Sequence, residues 1–164
     1  MNTTTAPALV LLLCLGAQHA SAGAPPPVAP AVEVRAGSDI VFLSGKTAPV
    51  VDTTAGKDTQ AAYGSLHTQT LGVLGRIETE LAARHLSMRN IVKVQVFLVK
   101  DEARYGAIDY AEFASAYAQF FGSPAARRQL PSRSTVLIAG LLTPGQLVEI
   151  EVTAVRRNAV RDSP

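Results

Sequence analysis

The sequence predicts an α+β domain in which a β-sheet is covered on one face by two helices. Segments with alternating apolar residues, typical of strands, flank two segments whose apolar residues recur at helical spacing. Their order along the chain is ββαβαββ. The length of 164 residues suits a single domain, and a hydrophobic content of 48% is sufficient for a packed core.

The first half of the domain predicts a hairpin followed by a long helix. Residues 31–35 alternate, residues 36–39 form a turn, and residues 40–45 are a second apolar run, which together indicate a β-hairpin. Residues 59–85 then change to a helical period. Gly72 and Gly75 weaken that helix by about 1 kcal/mol each relative to alanine, unless they allow close packing against the sheet.

The second half alternates again between strand and helix. Residues 91–99 are the clearest strand, and residues 110–121 return to helical spacing before Gly122. Residues 134–142 and 147–155 are the last two strands, with Thr143-Pro144-Gly145 as the turn between them.

Composition excludes several classes of protein. The net charge of +2 comes from 15 basic and 13 acidic residues, a balance that argues against a nucleic-acid-binding protein. A single cysteine excludes a disulfide framework or a thiolate zinc site within one chain. His67 and His85 lie on one predicted helix roughly 27 Å apart, so they cannot share a metal ion. These residues therefore predict no metal site within one subunit.

The N-terminal segment has the pattern of a secretory signal. No charged side chain precedes Glu33, and the apolar run 8–15 is followed by Ala20-Ser21-Ala22, an A-x-A cleavage site. We therefore expect a signal peptide over residues 1–22, a Pro-rich leader over 23–30, the folded domain over 31–157 and a tail over 158–164. The protein would be periplasmic or secreted, without stable membrane association after cleavage. If the segment is not a signal, the protein is cytoplasmic.

The faces of the predicted sheet indicate oligomerisation. Glu149, Glu151 and Thr153 share one face of the last strand, opposite an apolar face. A sheet face of this mixed polarity, with both helices on the other side, is typical of packing against further subunits.

Several segments, in this order, resemble the RidA (YjgF/YER057c/UK114) family of reactive-intermediate deaminases. They cover nearly the whole domain and are Phe42-Leu43-Ser44-Gly45, the strand 91–98, Tyr117-Ala118-Gln119-Phe120-Phe121, Pro131-Ser132-Arg133-Ser134-Thr135-Val136 and Val148-Glu149-Ile150-Glu151. The resemblance implies a chorismate-mutase-like mixed sheet and a homotrimer with clefts between subunits. It also implies hydrolysis of 2-enamino and 2-imino acids to 2-oxo acids and ammonia, without a cofactor.

The resemblance assigns roles to particular residues. Arg133 matches the arginine that binds the substrate carboxylate, which suits the paired donors of a guanidinium. Glu149 matches the acid that positions or polarises the attacking water. Ser44, Gly45 and Thr135 match positions lining the cleft, Gly45 and Thr135 through their backbone amides.

Two departures from the family pattern leave a second function open. Val28 stands where the family usually has a cleft tyrosine, and Ala114 where it often has an asparagine. The alternative is a non-catalytic trimeric module that binds a small carboxylate metabolite. A structural or regulatory trimer acting on another protein is a third possibility. From the residues alone, Arg133 could also be a strand-end ion-pair partner, and Glu149 could pair with Arg133 or Lys93.

Overall fold

The computed structural model of the protein describes residues 28–123 and 130–156. Its strands are β1 (Asp39–Thr47), β2 (Ile91–Val99), β3 (Ser132–Ile138) and β4 (Val148–Arg156). Its helices are α1 (Gln60–Tyr63), α2 (Leu66–Ala82) and α3 (Tyr110–Phe121), with 3₁₀ turns at Met88–Asn90 and Glu102–Arg104. The predicted signal segment 1–22, most of the leader and the tail lie outside the described residues.

The strands form one mixed sheet with the order β1-β4-β2-β3. β4 is antiparallel to both β1 and β2, whereas β2 and β3 are parallel. The last strand therefore lies in the interior of the sheet, and β1 and β3 form its edges. This mixed sheet with its helices confirms the predicted α+β class.

One face of the sheet packs against the helices and forms the core. The alternation in β2 and β4 buries Val94, Val96 and Leu98 together with Val148, Ile150 and Val152. These side chains meet the apolar side of α2, whose buried residues include Val73, Leu74, Ile77 and Leu81. Phe113, Tyr117 and Phe121 of α3 complete the core.

The prediction of a first strand over residues 31–35 is wrong. The turn does form, with the Ser38 amide donating to the Arg35 carbonyl at 3.3 Å, but residues 31–35 pair with no strand among the described residues. Ahead of this segment, the Ala29 amide donates to the carbonyl of Pro131 at 3.0 Å. That bond ties the incoming chain to the β3 edge, on the far side of the sheet from β1. The chain therefore crosses the end of the sheet before β1 begins, and residues 31–35 do not lie alongside β1.

The predicted helix 59–85 is interrupted at Gly64 and Ser65. Gly64 has a φ of 80°, which ends α1, and Ser65 then caps α2 by accepting from the Thr68 amide at 3.3 Å. A glycine followed by a serine within a helical pattern is the local signal for such a break. α2 ends at Ala82, three residues before the predicted boundary.

The other elements match their predictions closely. β2 and α3 have the predicted bounds, and β4 is shifted by one residue at each end. β3 starts earlier and stops at Ile138 because its only described strand neighbour, β2, ends at Val99, which is opposite Ile138. Within the described ranges, no helix combines the length and apolarity that crossing a bilayer requires.

Candidate functional site

Arg133 lies on the helix-covered face of the edge strand β3. It is opposite Val94 in the parallel ladder, and directly opposed residues point to the same side of a sheet. Its guanidinium carbon lies 4.5 Å from the ring centroid of Tyr117 and 5.6 Å from that of Phe113. Its Nη2 donates to the hydroxyl of Tyr110 at 3.0 Å. Three aromatic residues of α3 thus hold this cation.

The surroundings of Arg133 contain polar atoms with spare hydrogen-bonding capacity. Arg133 Nη1, Tyr117 Oη and Thr135 Oγ1 are buried, and none has a hydrogen-bond partner in the described ranges 28–123 and 130–156. A buried polar group without a partner costs about 1–3 kcal/mol. Such a cluster is typical of a site where a ligand or another subunit supplies the missing partners.

Burial keeps the phenol of Tyr117 protonated. Loss of solvent raises the pKa of Tyr117 to about 12, although the positive charge of Arg133 acts in the opposite direction. At neutral pH this hydroxyl can donate or accept a hydrogen bond, but it cannot act as a base.

Glu149 lies on the open face of the sheet. It is half-buried on β4, opposite Phe97 of β2 and Thr47 of β1. Its carboxylate rests on the backbone of Gly45, because a Cβ atom added there would lie 1.9 Å from Glu149 Oε1. The register of β1 shifts between Leu43 and Lys46, so Ser44 and Gly45 form an irregularity in the strand.

Ser44 lies beside a hollow on the same open face. The hollow has a volume of about 360 Å³. Its polar lining comes from β1, β2 and β4 and consists of Ser44, Lys93, Gln95, Glu151 and Thr153. Ser44, Gly45 and Glu149 therefore form one group on the open face.

The structure separates the predicted site residues into two halves. Arg133 and Thr135 face the helices, whereas Ser44, Gly45 and Glu149 belong to the opposite side of the sheet. The ion pair between Glu149 and Arg133 that the sequence left open is not formed within the chain. One subunit alone therefore does not assemble the predicted site.

The two positions that depart from the family pattern lie near the Arg133 half. Val28 is 42% exposed and precedes Ala29, which is bonded to the carbonyl of Pro131 just before β3. Ala114 is half-buried on α3, one turn after Tyr110. Both contribute only apolar side chains.

Sequence reasoning missed the phenols of Tyr110 and Tyr117. The helical spacing of residues 110–121 assigned no role to either hydroxyl, and only the structure shows both close to a guanidinium. The available signal was a hydroxyl at two positions of an otherwise apolar helix face. His67 and His85 stand apart, since His67 is next to Gln119 and His85 follows the end of α2.

Fold and site together define a small α+β domain with a cation at the edge of its sheet, suited to binding a small anionic molecule. The sequence profile of the Endoribonuclease L-PSP family matches residues 21–156, and the chain belongs to this family, the YjgF/YER057c/UK114 or RidA family. The predicted resemblance is thereby confirmed.

Individual relatives span most of the chain. Protein MMF1, mitochondrial, of Saccharomyces cerevisiae is 32% identical over 135 residues, which are 82% of this chain and 81% of that protein. The crystal structure of E. coli TdcF with bound serine has a TM-score of 0.55 and 31% identity, covering 82% of this chain and 94% of that one. Rv2704 of Mycobacterium tuberculosis, a YjgF/YER057c/UK114 family member, has a TM-score of 0.50 and 28% identity, covering 70% and 77%.

Proposed function

We propose that the protein hydrolyses reactive 2-imino and 2-enamino acids to 2-oxo acids and ammonia, in clefts between the subunits of a homotrimer. The observation that carries the proposal is the placement of Arg133 and Glu149 on opposite faces of one sheet. A cleft that joins the Arg133 half of one subunit to the Glu149 half of another would contain both groups.

The reaction follows from the chemistry of these two groups. Arg133 binds the substrate carboxylate through charge-assisted hydrogen bonds. Glu149 accepts a proton from water while the water oxygen bonds to C2 of the imine, and the proton then passes to the imine nitrogen, giving a neutral carbinolamine. In the second step Glu149 takes the proton of the carbinolamine hydroxyl as the carbonyl forms. That proton passes to nitrogen, the C–N bond breaks, and ammonia leaves the 2-oxo acid with Glu149 again a carboxylate. An enamino acid first tautomerises to the imine.

Both halves of the site suit a small molecule. The solved E. coli relative holds serine, an amino acid with a carboxylate of the kind that we assign to Arg133. The family description, Endoribonuclease L-PSP, suggests cleavage of RNA. We propose deamination instead. Glu149 and Glu151 on the open face would repel a polyanionic backbone.

The first test is ammonia release from freshly generated 2-iminopropanoate by the parent chain and by Arg133→Ala. We expect kcat/KM to fall about 100-fold or more, because the substrate carboxylate loses its charged partner. Arg89→Ala, at an exposed arginine in the turn before β2, is the matched control and should retain the parent rate. Light scattering should show trimers for all three proteins. Equal rates for the parent and Arg133→Ala would show that the assigned site is wrong.

The second candidate is a module that binds a small carboxylate without turnover. Val28 and Ala114 favour it, since apolar side chains there supply no further group for catalysis. This candidate is supported over the enzyme if the parent does not accelerate imine decay and yet binds a 2-oxo acid that Arg133→Ala does not bind.

A further inference from the structure

We propose that Tyr110 is a substrate-binding residue whose hydroxyl, held by Arg133, donates a second hydrogen bond to the carboxylate of the ligand. The inference rests on the proposed function, because it adds a contact to the same anion-binding half of the site. Tyr110 would thereby help to select ligands that carry a carboxylate.

The position of Tyr110 is set by the start of α3. Asp109 caps the helix by accepting from the Glu112 amide at 3.0 Å, an interaction that lowers the pKa of its carboxyl group. Arg104 pairs with the same carboxylate. The Tyr110 ring packs on Phe113 with 5.5 Å between centroids. The first turn of α3 therefore aims this phenol at β3.

The direction of the hydrogen bond leaves a donor available. A guanidinium has no acceptor atom, so the phenol oxygen of Tyr110 accepts from Arg133 Nη2. Within the described ranges, no acceptor for its own O–H is found. A hydroxyl that accepts from a cation becomes a better donor, because the two hydrogen bonds polarise each other. A carboxylate beside Arg133 would thus meet two donors.

Accessibility distinguishes Tyr110 from the other tyrosine beside Arg133. Tyr110 is 39% exposed, whereas Tyr117 is fully buried beneath the guanidinium. Of these two hydroxyls, the Tyr110 hydroxyl is therefore on the side from which a ligand approaches. Ala114, one turn further along α3, has no polar atom in its side chain to compete for this position.

The test measures binding separately from turnover. Calorimetry with pyruvate, a stable 2-oxo acid, is carried out on the full parent chain, Tyr110→Phe and Tyr105→Phe, with pyruvamide as the uncharged ligand. We expect Tyr110→Phe to weaken pyruvate binding about tenfold, as for loss of a hydrogen bond to a charged group, and to leave pyruvamide binding unchanged. It should raise KM for 2-iminopropanoate with little effect on kcat. Tyr105→Phe removes the same hydroxyl from a fully exposed side chain and should match the parent.

The outcomes separate this inference from the proposed function. If Tyr110→Phe binds pyruvate as tightly as the parent while Arg133→Ala does not bind, the Tyr110 contact is wrong and the site stands. If Tyr110→Phe loses the same affinity for pyruvate and for pyruvamide, the contact is also overturned, because Tyr110 then only maintains local structure. If Tyr110→Phe binds pyruvate more weakly but pyruvamide as well as the parent does, and the parent hydrolyses no imine, the contact is supported and deamination is refuted. A parent that binds no pyruvate would refute both.

Discussion

At the scale of single residues, the site depends on what lies directly against each charged group. Arg133 is held by aromatic rings and by the Tyr110 hydroxyl, so its cation is retained at a strand edge instead of being neutralised by a carboxylate of the same chain. The Glu149 carboxylate is instead in close contact with Gly45, which has no side chain. Each functional group therefore has a neighbour whose replacement tests its role.

Gly45→Ala should displace the Glu149 carboxylate without unfolding the protein. The new Cβ would meet Glu149 Oε1 at 1.9 Å and Cδ at 2.8 Å, and both atoms are at the flexible end of a side chain that can move away. We expect kcat for imine hydrolysis to fall on the order of 100-fold, the size of a general acid–base contribution, with a nearly unchanged melting temperature. Gly140→Ala, where the new methyl group meets nothing within 4 Å, is the control. Full activity in Gly45→Ala would show that the observed position of the Glu149 carboxylate is not required for hydrolysis.

At the scale of elements, α2 shows how two glycines in one helix have different functions. The sequence left open whether Gly72 and Gly75 weaken the helix or allow close packing. At Gly72 an added Cβ would lie 2.6 Å from Cδ of Pro49, in the segment after β1, whereas at Gly75 it would meet nothing within 4 Å. Gly72 therefore allows close approach to the chain after β1, and Gly75 only lowers helix propensity.

Alanine at these two positions should change stability in opposite directions. Gly75→Ala should raise the free energy of unfolding by about 1 kcal/mol, the difference in helix propensity. Gly72→Ala should lower it by roughly 1–2 kcal/mol, because a rigid proline ring cannot move aside as a long side chain can. Urea denaturation of both variants beside the parent measures the two effects. Stabilisation by Gly72→Ala would show that α2 can move away from Pro49 at little cost.

At the scale of the whole molecule, the open face of the sheet remains apolar in places. Ile40 and Phe42 of β1 are 52% and 78% exposed, and Val136 of β3 is 40% exposed. Register places Phe42 beside Thr153, on the side away from the helices. Contact between such faces of several copies would bury these side chains, which agrees with the predicted oligomer.

Phe42→Asp should therefore disrupt the proposed trimer. A charge at this position would be buried without a partner when subunits associate, which disfavours assembly strongly. Light scattering should give the mass of three chains for the parent and of one chain for the variant, and imine hydrolysis should be lost with assembly. Tyr105→Asn removes an exposed aromatic residue from a loop at a left-handed position that asparagine tolerates, and it should remain trimeric. An unchanged mass for Phe42→Asp would exclude this face as the interface.

The sequence alone determined the elements whose signals are local. The alternation over β2 and the helical spacing over α3, which ends at Gly122, placed both elements with the observed bounds. It also separated the polar and apolar faces of β4, since alternation depends only on the pleat of the strand. Family membership followed from short segments in a characteristic order. These properties are encoded within a few residues of one another.

The tertiary structure decided everything that depends on a distant partner. A period of two residues defines the faces of a strand but not its neighbours, so the position of β4 between β1 and β2 was not predictable from the strands themselves. Gln69 shows the same limit, because its polar side chain is fully buried only through bonds to the carbonyls of Gly64 and Gly145 and the amide of Leu147. The separation of Arg133 from Glu149 likewise follows from register. Contacts between residues far apart in sequence arise only when the whole chain packs, and they place Arg133 and Glu149 on opposite faces of one sheet.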